Sequence, residues 1–430
     1  MSIYLCGAYW LFFALAQHKL ASVLTAILSL PAWPTLIDAW GLDVPKNMLP
    51  RSVFLAFVPW LTLGLIRASQ RLLPAVAIFL AIGLLANLHP VSGFGFVQIL
   101  LLTILLQNKF RLRAFSRCAL LGIAAALPVI GFAITYVSGT RVAKADAVPY
   151  PILLDMFQYR VAVFFPFARE RVSDTLIGVA VPSALAFLGW RLRRRNGALD
   201  SRDAWFKWFL VSTVVVSFAG TAVIQVASRV TESKPLIFDQ MRALRFVYLP
   251  LFALAAYFLA HILKAAQEGT RAWQQRSIIV VITGFVVAAS FPNGTHFHRL
   301  WNEHVHAKAS FGRDSSVKSL GEWIRHHTPV NALIDYDSPL LRLIAQRSLV
   351  FCKKDGGILL YSGSERLREW HQRFLEDKEI PKGASEARLA FARKYSADYM
   401  VLESDGPSLA LQPVYRNKHF ALYPVAAADE

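Results

Sequence analysis

Two hydrophobic patterns divide this chain near Pro292. Before that point, apolar blocks alternate with short basic turns, and most blocks approach the roughly 17–25 residues that a helix needs to cross a bilayer. After it, apolar and polar positions alternate on the scale of single soluble helices and strands. We therefore predict a mainly α-helical, polytopic membrane domain over residues 1–292 and a soluble α/β domain over residues 293–430.

The apolar blocks predict about ten membrane-spanning helices. They cover residues 2–17, 20–37, 51–66, 72–88, 92–107, 115–138, 173–190, 205–226, 244–263 and 277–292. The first block has no basic segment before it and no small-residue cleavage site after it, so we expect a retained helix rather than a signal peptide. An even number of spans places both termini on the same side of the membrane.

The basic residues predict the orientation of these spans. Four clusters fall on one side if the spans alternate: Arg67/Arg71, Lys109/Arg111/Arg113/Arg117, Arg191/Arg193/Arg194/Arg195 and Lys264/Arg271/Arg276. Because cytoplasmic turns carry the excess of Lys and Arg, that side is predicted to be cytoplasmic. The loops 38–50, 88–91, 139–172 and 227–243 then face outward, together with the C-terminal domain.

The C-terminal pattern predicts a compact α/β module. An amphipathic helix over Val317–His326 precedes a short strand at Ala332–Ile334, and a second strand follows at Ser348–Phe351. Two further helices are predicted, one carrying Trp370 and Phe374 and the other over residues 384–395. The strand Tyr399–Leu402 and a hairpin of residues 414–415 with 420–423 complete the module.

Composition supports membrane residence and argues against nucleic acid as a partner. The hydrophobic fraction is 55%, and the mean hydropathy of +0.41 is high for a soluble protein of this length. Residues 293–430 hold 19 Lys and Arg against 17 Asp and Glu, a net of +2, so +16 of the formal charge of +18 belongs to the membrane half. That charge fits anionic lipid headgroups. The three cysteines have no paired spacing, and we expect them to be packing residues.

The overall plan resembles the GT-C superfamily of polytopic membrane glycosyltransferases. The similarity rests on Asn87-Leu88-His89-Pro90 and Arg242-Ala243-Leu244-Arg245-Phe246 at outer helix ends. It also rests on C-terminal segments similar to an uncharacterised bacterial branch: Trp323–Pro329, Ala345–Ser348, Glu369–Trp370, Ala397–Tyr399 and Val414–Asn417. The resemblance implies transfer of a sugar from a polyprenyl-phosphate carrier at the extracytoplasmic face of a bacterial inner (plasma) membrane.

One family feature does not appear at the expected place. The family's hallmark is an acidic residue in the external loop after its first helix, and this sequence begins too late to show it. Either one span is miscounted, or one helix and that loop are missing upstream. We expect the second, which would also explain the external N-terminus.

The chemistry of such a transfer calls for a base and for cations that stabilise a departing phosphate. Asp38 and Asp43, in the earliest external loop, are the candidates for a base or a metal ligand, with a solvated loop as the alternative. His89 is a candidate proton shuttle or phosphate donor, and a hydrogen-bonded turn histidine is the alternative.

Basic residues at the outer boundary are the candidates for binding phosphate or lipid. They are Arg51, Arg160, Arg171, Arg242 and Arg245, with Asp239 placed to orient a guanidinium. Snorkelling at the membrane interface explains the same arginines. Aromatic residues interleaved with charge in 139–172 suit an interfacial helix that admits a prenyl chain, or a simple membrane anchor.

No metal site is assigned, and dependence on a divalent metal stays open. His296, His298, His304 and His306 alternate after the last predicted span, but no Asp or Cys lies between them at ligand spacing, so an interfacial polar stretch is the default interpretation.

Three functions remain as hypotheses. The first is a glycosyltransferase that uses a polyprenyl-phosphate-linked sugar. The second is a non-catalytic assembly factor in envelope polysaccharide biogenesis, related to such enzymes but degenerate. The third is a lipid-linked saccharide transporter, which the scarcity of ionisable residues within the spans disfavours.

Overall fold

A computed structural model describes most of the chain. The described residues are 1–30, 33–34, 39–40, 50–68, 71–140, 148–149, 151–152, 169–197, 200–231, 240–268, 307–353, 355–356, 359, 365–381, 383–406 and 409–425. The chain divides into two compact units. Unit 1 comprises Met1–Tyr136 and Val161–Phe297, and unit 2 comprises Val137–Arg160 and His298–Glu430.

Unit 1 is built from helices. They are α1 (Ser2–Ala16), α2 (Lys19–Leu28), α3 (Pro50–Ala68), α4 (Leu72–Ala86), α5 (Pro90–Gln107), α6 (Leu112–Ala126), α7 (Ile130–Thr140), α8 (Arg169–Arg195), α9 (Ser201–Thr231) and α10 (Tyr248–Glu268). The last residues of α7, from Val137, are assigned to unit 2. A 3₁₀ turn at Leu127–Val129 joins α6 to α7, and a 3₁₀ helix at Gln240–Val247 leads into α10. A short antiparallel pair, β1 (Trp33–Pro34) and β2 (Ala39–Trp40), follows α2.

Five stretches of helix in the described part are long and apolar enough to cross a membrane. They are Pro50–Ala68, Pro90–Gln107, Leu112–Thr135, Ser201–Thr231 and Gln240–Ala265. Three shorter apolar helices are α1, α2 and α4. Each of the first nine predicted apolar blocks carries helix, and the tenth, 277–292, lies outside the described residues.

In the block predicted as a span over residues 20–37, α2 ends at Leu28. Pro31 and Pro34 both lack the N–H that a continuing helix requires, and Pro34 lies in β1. A ten-residue helix covers about 15 Å, half the thickness of a bilayer core. The hairpin is anchored by two buried indoles, because Trp33 Nε1 donates to the Leu28 carbonyl at 2.9 Å and Trp40 Nε1 donates to the Tyr4 hydroxyl at 3.1 Å.

The predicted basic clusters gather at one end of unit 1. Arg67 and Arg117, from two different clusters, line the same cavity beside Gln17, at the C-terminal end of α1. Arg193, from the third cluster, donates to the Leu15 carbonyl at 3.3 Å. Lys264, from the fourth, interacts electrostatically with His18. This region is called the basic end below, and the helices α1 to α6 and α8 to α10 alternate in direction between it and the opposite, polar end.

Glycines allow two pairs of these helices to pack closely. A Cβ on Gly189 of α8 would lie 2.2 Å from the Leu254 carbonyl oxygen of α10, and one on Gly83 of α4 would lie 2.2 Å from the Ala125 carbonyl oxygen of α6. Backbone contact of this kind through small residues is a feature of membrane helix packing, where apolar side chains gain little by leaving lipid.

Unit 2 contains a mixed five-stranded sheet and four helices among the described residues. The helices are α11 (Ala307–His327), α12 (Pro339–Ala345), α13 (Glu365–Glu379) and α14 (Ser385–Lys394). The strands are β3 (Leu333–Asp335), β4 (Ser348–Leu349), β5 (Tyr399–Glu403), β6 (Tyr415–Arg416) and β7 (Phe420–Pro424), in the order β4-β3-β5-β7-β6. β3 is parallel to β4 and β5, whereas β7 is antiparallel to both β5 and β6.

The predicted elements of the α/β module are confirmed, including the closing hairpin of β6 and β7. Trp370 and Phe374 lie on the buried face of α13 and stack with ring centroids 5.3 Å apart. Ser338 caps α12 by accepting from the Leu341 N–H at 3.2 Å, and Pro339 occupies the first turn.

The C-terminal segments that carry the family resemblance hold unit 2 together. Arg347 donates to the Arg325 and Thr328 carbonyls at 2.8 and 2.7 Å, which satisfies the end of α11. Tyr415 packs on Trp323, with ring centroids 5.3 Å apart. The Asp398 carboxylate accepts from the Leu333 N–H at 2.7 Å. These residues therefore have structural roles in this unit.

Candidate functional site

His89 begins the helix α5 at the polar end of unit 1. Pro90 fills the first helical position, where its missing N–H costs nothing. The imidazole Nδ1 of His89 accepts from the Ser92 N–H at 3.2 Å, so the histidine acts as the N-cap. The Ser92 hydroxyl also lies 2.5 Å from Nδ1. The turn-histidine interpretation of His89 thus describes its local role.

Arg242 and Arg245 lie on a 3₁₀ helix of eight residues, Gln240–Val247. Such helices rarely extend past three or four residues, and side chains three apart eclipse one another. Arg242 and Arg245 therefore share one face, with Arg242 half-buried and Arg245 fully buried.

The other face of the 3₁₀ helix is fixed by packing. Phe246 contacts Phe96 of α5, with centroids 5.0 Å apart. The Ala243 Cβ lies 3.2 Å from where a Cβ on Gly95 would be, and Gln240 packs in the same way against Gly220 of α9. These contacts fix the rotation of the 3₁₀ helix about its own axis.

Arg245 is hydrogen-bonded to Ser92. Its Nη2 donates to the Ser92 hydroxyl, and both side chains are buried. Because Nδ1 of His89 accepts from the Ser92 N–H, it carries no proton, and the Ser92 hydroxyl donates to it. The network therefore assigns a neutral His89 with the proton on Nε2. Two of the predicted site residues, His89 and Arg245, are thus connected through one hydroxyl.

Additional polar groups are buried beside this network. The Gln240 Oε1 atom is buried without a hydrogen-bond partner among the described residues. Thr213, Ser217 and Thr221 form a buried polar stripe at four-residue spacing along α9. Thr213 and Thr221 donate back to the carbonyls of residues 209 and 217, at 2.8 and 2.6 Å. We define Ser92, His89, Gln240, Arg242 and Arg245 as the polar-end cluster.

The remaining predicted site residues are only partly described. Asp38, Asp43, Arg160 and Asp239 lie outside the described residues. Arg171 lies on α8, but its side chain is not among those described. Arg51 is half-buried at the start of α3, and the nearby Phe54 packs on Phe96 at 6.2 Å between centroids. Arg51 is thus at the same end of unit 1 as the polar-end cluster.

Two residues of the cluster were missed by sequence reasoning. Ser92 follows His89 by three positions, the spacing at which a cap and a residue of the first helical turn bond to each other, so this signal was present in the sequence. Gln240 gives no such signal, because its role depends on contact with Gly220 on another helix.

Unit 2 has its own cluster of charged residues, at the carboxyl end of β3. Arg388 pairs with both oxygens of the fully buried Asp335, at 2.5 and 2.6 Å, and with Asp377 at 2.5 Å. Lys353 lies 3.4 Å from Asp337 and 3.5 Å from Asp377. Burial raises the pKa of the Asp335 carboxyl, and the Arg388 charge opposes this increase. Each carboxylate has a cationic partner, so the cluster ties α13 and α14 to the sheet.

Neither unit shows a metal centre in its described part, where no three His, Cys, Asp or Glu side chains converge as ligands. The alternating histidines His296, His298, His304 and His306 lie outside the described residues. No protein-family model matches this chain, and no curated protein matches it in sequence.

Proposed function

We propose that this protein is a GT-C-like integral membrane glycosyltransferase that uses a polyprenyl-phosphate-linked sugar at the extracytoplasmic face. The observation that carries the proposal is the pair Arg242 and Arg245 on one face of a 3₁₀ helix at the start of a long apolar helix. A guanidinium has five donors in a planar fork that suits phosphate oxygens, and its charge is strengthened where water is excluded.

The apolar helices support the membrane topology that this proposal assumes. The apolar blocks form about ten spans of a bacterial inner membrane, with the basic end in the cytoplasm and unit 2 outside. The gathering of the four basic clusters at one end supports this orientation. The polar-end cluster then lies at the outer boundary, where a prenyl chain remains in lipid while its phosphate reaches the arginines.

The two arginines have different roles in the proposed site. Arg242, which is half-buried, contacts the phosphate directly. Arg245 is 0% exposed. It therefore either stabilises the phosphate charge without contacting it, from the protein side of Arg242, or contacts the phosphate after neighbouring side chains shift. Ser92 fixes the orientation of the Arg245 guanidinium, and His89 holds Ser92 in place.

In the proposed reaction an acceptor hydroxyl attacks the anomeric carbon of the sugar. The bond from that carbon to the phosphate oxygen breaks, and the two electrons remain on the polyprenyl phosphate, whose negative charge the arginines stabilise. The hydroxyl proton passes to a carboxylate, for which Asp38 and Asp43 are the candidates. A divalent metal bound by these carboxylates is an alternative source of charge stabilisation.

Binding of a polyprenyl monophosphate to the purified full chain tests the proposal. We expect Arg242→Gln to weaken binding by about tenfold or more, since it removes a charge-assisted contact. Lys109→Gln, which removes one charge at the basic end, is the matched control and should bind normally. Equal affinity in all three proteins would exclude the phosphate role and favour a non-catalytic assembly factor. Binding without sugar transfer in the presence of an acceptor would favour the degenerate relative or a transporter.

A further inference from the structure

The basic end of unit 1 contains a large cavity that the proposed reaction does not use. Its volume is about 1010 Å³. It is bounded by the C-terminal ends of α1, α3 and α5, by α6 near its start, and by the first turns of α9. It therefore lies at the opposite end of α5 from His89, about 27 Å along an 18-residue helix.

Three arginines line this cavity, and none of its described lining residues is acidic. Arg67 is exposed at the end of α3, and Arg117 is half-buried on α6. Arg202 donates to the Ala14 carbonyl and has the Asp200 carboxylate 3.7 Å away, so part of its charge is balanced. Arg67 and Arg117 place two further guanidinium groups against the cavity.

The walls of the cavity are aromatic and aliphatic. Trp10 is 43% exposed, and Trp208 lies half-buried one turn after the buried Trp205. Leu63, Ile66 and Ile104 are among the aliphatic residues of the lining. Indoles concentrate at the boundary between hydrocarbon and headgroups, because they have an apolar body and one polar N–H.

The combination is amphipathic, with guanidinium groups beside tryptophan and aliphatic side chains. A soluble anion would interact with the guanidinium groups alone and would bury no apolar surface against these walls. A lipid with an anionic phosphate headgroup uses both, because its acyl chains cover the apolar wall. Basic pockets between helices on the cytoplasmic side are the type of site that binds such headgroups.

We propose that this cavity is a binding site for an anionic phospholipid, with Arg67 and Arg117 donating to the headgroup phosphate. The site is separate from the polar-end cluster and does not depend on the proposed glycosyl transfer. It accounts for the convergence of two basic turns, after α3 and before α6, on one cavity rather than their spreading over the surface.

The test is native mass spectrometry of the full chain in detergent, titrated with phosphatidylglycerol or phosphatidylcholine. The wild type should retain phosphatidylglycerol in preference, and Arg67→Gln with Arg117→Gln should weaken retention by about tenfold to thirtyfold. The matched control is Arg111→Gln with Arg113→Gln, which removes two exposed charges from the same basic turn outside the cavity. It should retain the lipid as the wild type does.

Two further arms identify the source of the phosphate and guard against misfolding. Inorganic phosphate at the lipid's concentration should not displace phosphatidylglycerol, and displacement would assign the site to soluble phosphates and overturn the proposal. Arg67→Lys with Arg117→Lys should recover part of the binding that the Gln pair loses. An equal loss in the control pair, or equal retention of both lipids by the wild type, would also overturn the proposal.

Discussion

Arg245 donates a hydrogen bond to Ser92, which lies 153 residues earlier in the chain, and both side chains are buried. The bond joins the 3₁₀ helix before α10 to the first turn of α5. A buried guanidinium held in this way contributes a fixed positive charge at the polar end of unit 1. The predictions below follow from this arrangement and from the charged pairs elsewhere in the fold.

Replacing Ser92 should weaken the fold as well as the site. Ser92→Ala removes the hydroxyl that Arg245 and the His89 Nδ1 share, and the loss of a buried hydrogen bond to a charged group costs about 1.5–3 kcal/mol. Thermal unfolding in detergent should show the loss, whereas Ser116→Ala, which removes an exposed hydroxyl from α6, should change little. Equal stability of the two variants would show that the hydrogen bonds of the Ser92 hydroxyl do not contribute to stability.

The identity of the cation at position 245 should matter. Arg245→Lys retains the charge but loses the planar fork, so we expect polyprenyl-phosphate affinity to fall by about tenfold while the protein remains folded. Arg113→Lys at the basic end is the matched control. A calorimetric titration that gave wild-type affinity for Arg245→Lys would show that charge alone suffices at this position.

The ion pair of Arg193 and Asp203 should be a strong determinant of stability at the basic end. Nη2 of Arg193 donates to Asp203 at 2.7 Å, and both side chains are almost fully buried. Asp203→Asn or Arg193→Met alone should cost about 3–5 kcal/mol, because each removes the nearest opposite charge from a buried charged group.

Combining Asp203→Asn with Arg193→Met should recover much of the free energy of unfolding that each single variant loses. The double variant removes both charges, so its cost should be smaller than the sum of the single costs. Arg194→Met, at an exposed neighbouring position, is the control and should stay within about 0.5 kcal/mol of the wild type. Additive single and double effects in chemical denaturation would rule out the coupling.

Arg388 should stabilise unit 2 in a pH-dependent way. Burial raises the pKa of Asp335, and Arg388 counteracts that shift. In Arg388→Met the pKa of Asp335 should rise further above its unfolded value. A carboxyl with a raised folded pKa stabilises the fold when protonated, and this contribution is lost as pH increases through the folded pKa.

The loss of unit 2 stability caused by Arg388→Met should therefore be largest at neutral pH and should decrease on acidification. Hydrogen exchange of the β3 and β5 amides, corrected for the intrinsic pH dependence of exchange, would measure it in the full chain. Arg366→Met, on the exposed face of α13, should show no deficit at either pH. A deficit for Arg388→Met that did not change with pH would exclude Asp335 as the responsible group.

Much of the helical pattern was predictable because apolar length is a local property of the sequence. The failure at residues 20–37 has a local cause as well, since neither Pro31 nor Pro34 can donate to a continuing helix. The hairpin that follows α2 depends on Tyr4 accepting from Trp40, 36 residues away, and a partner so distant in sequence leaves no periodic signal. Arg193 could not be distinguished from the sequence for the same reason. It is one of four basic residues in its cluster, and its burial against Asp203 depends on the packing of two helices.

The candidate site was predictable only as a set of residue types. His89, Arg242 and Arg245 could be selected as polar residues at helix ends, and the cap formed by His89 follows from its spacing to Ser92 and from Pro90. The eight-residue 3₁₀ helix could not be predicted, because it is stabilised by the packing of Gln240, Ala243 and Phe246 on α5 and α9.

The central claim is that this protein binds a polyprenyl-phosphate sugar, and native mass spectrometry of the full chain purified from membranes tests it most directly. The account predicts a co-purifying polyprenyl phosphate or its sugar adduct, which Arg242→Gln should reduce and Lys109→Gln should not. A protein that carries no such lipid and binds none when a polyprenyl monophosphate is added would contradict the claim.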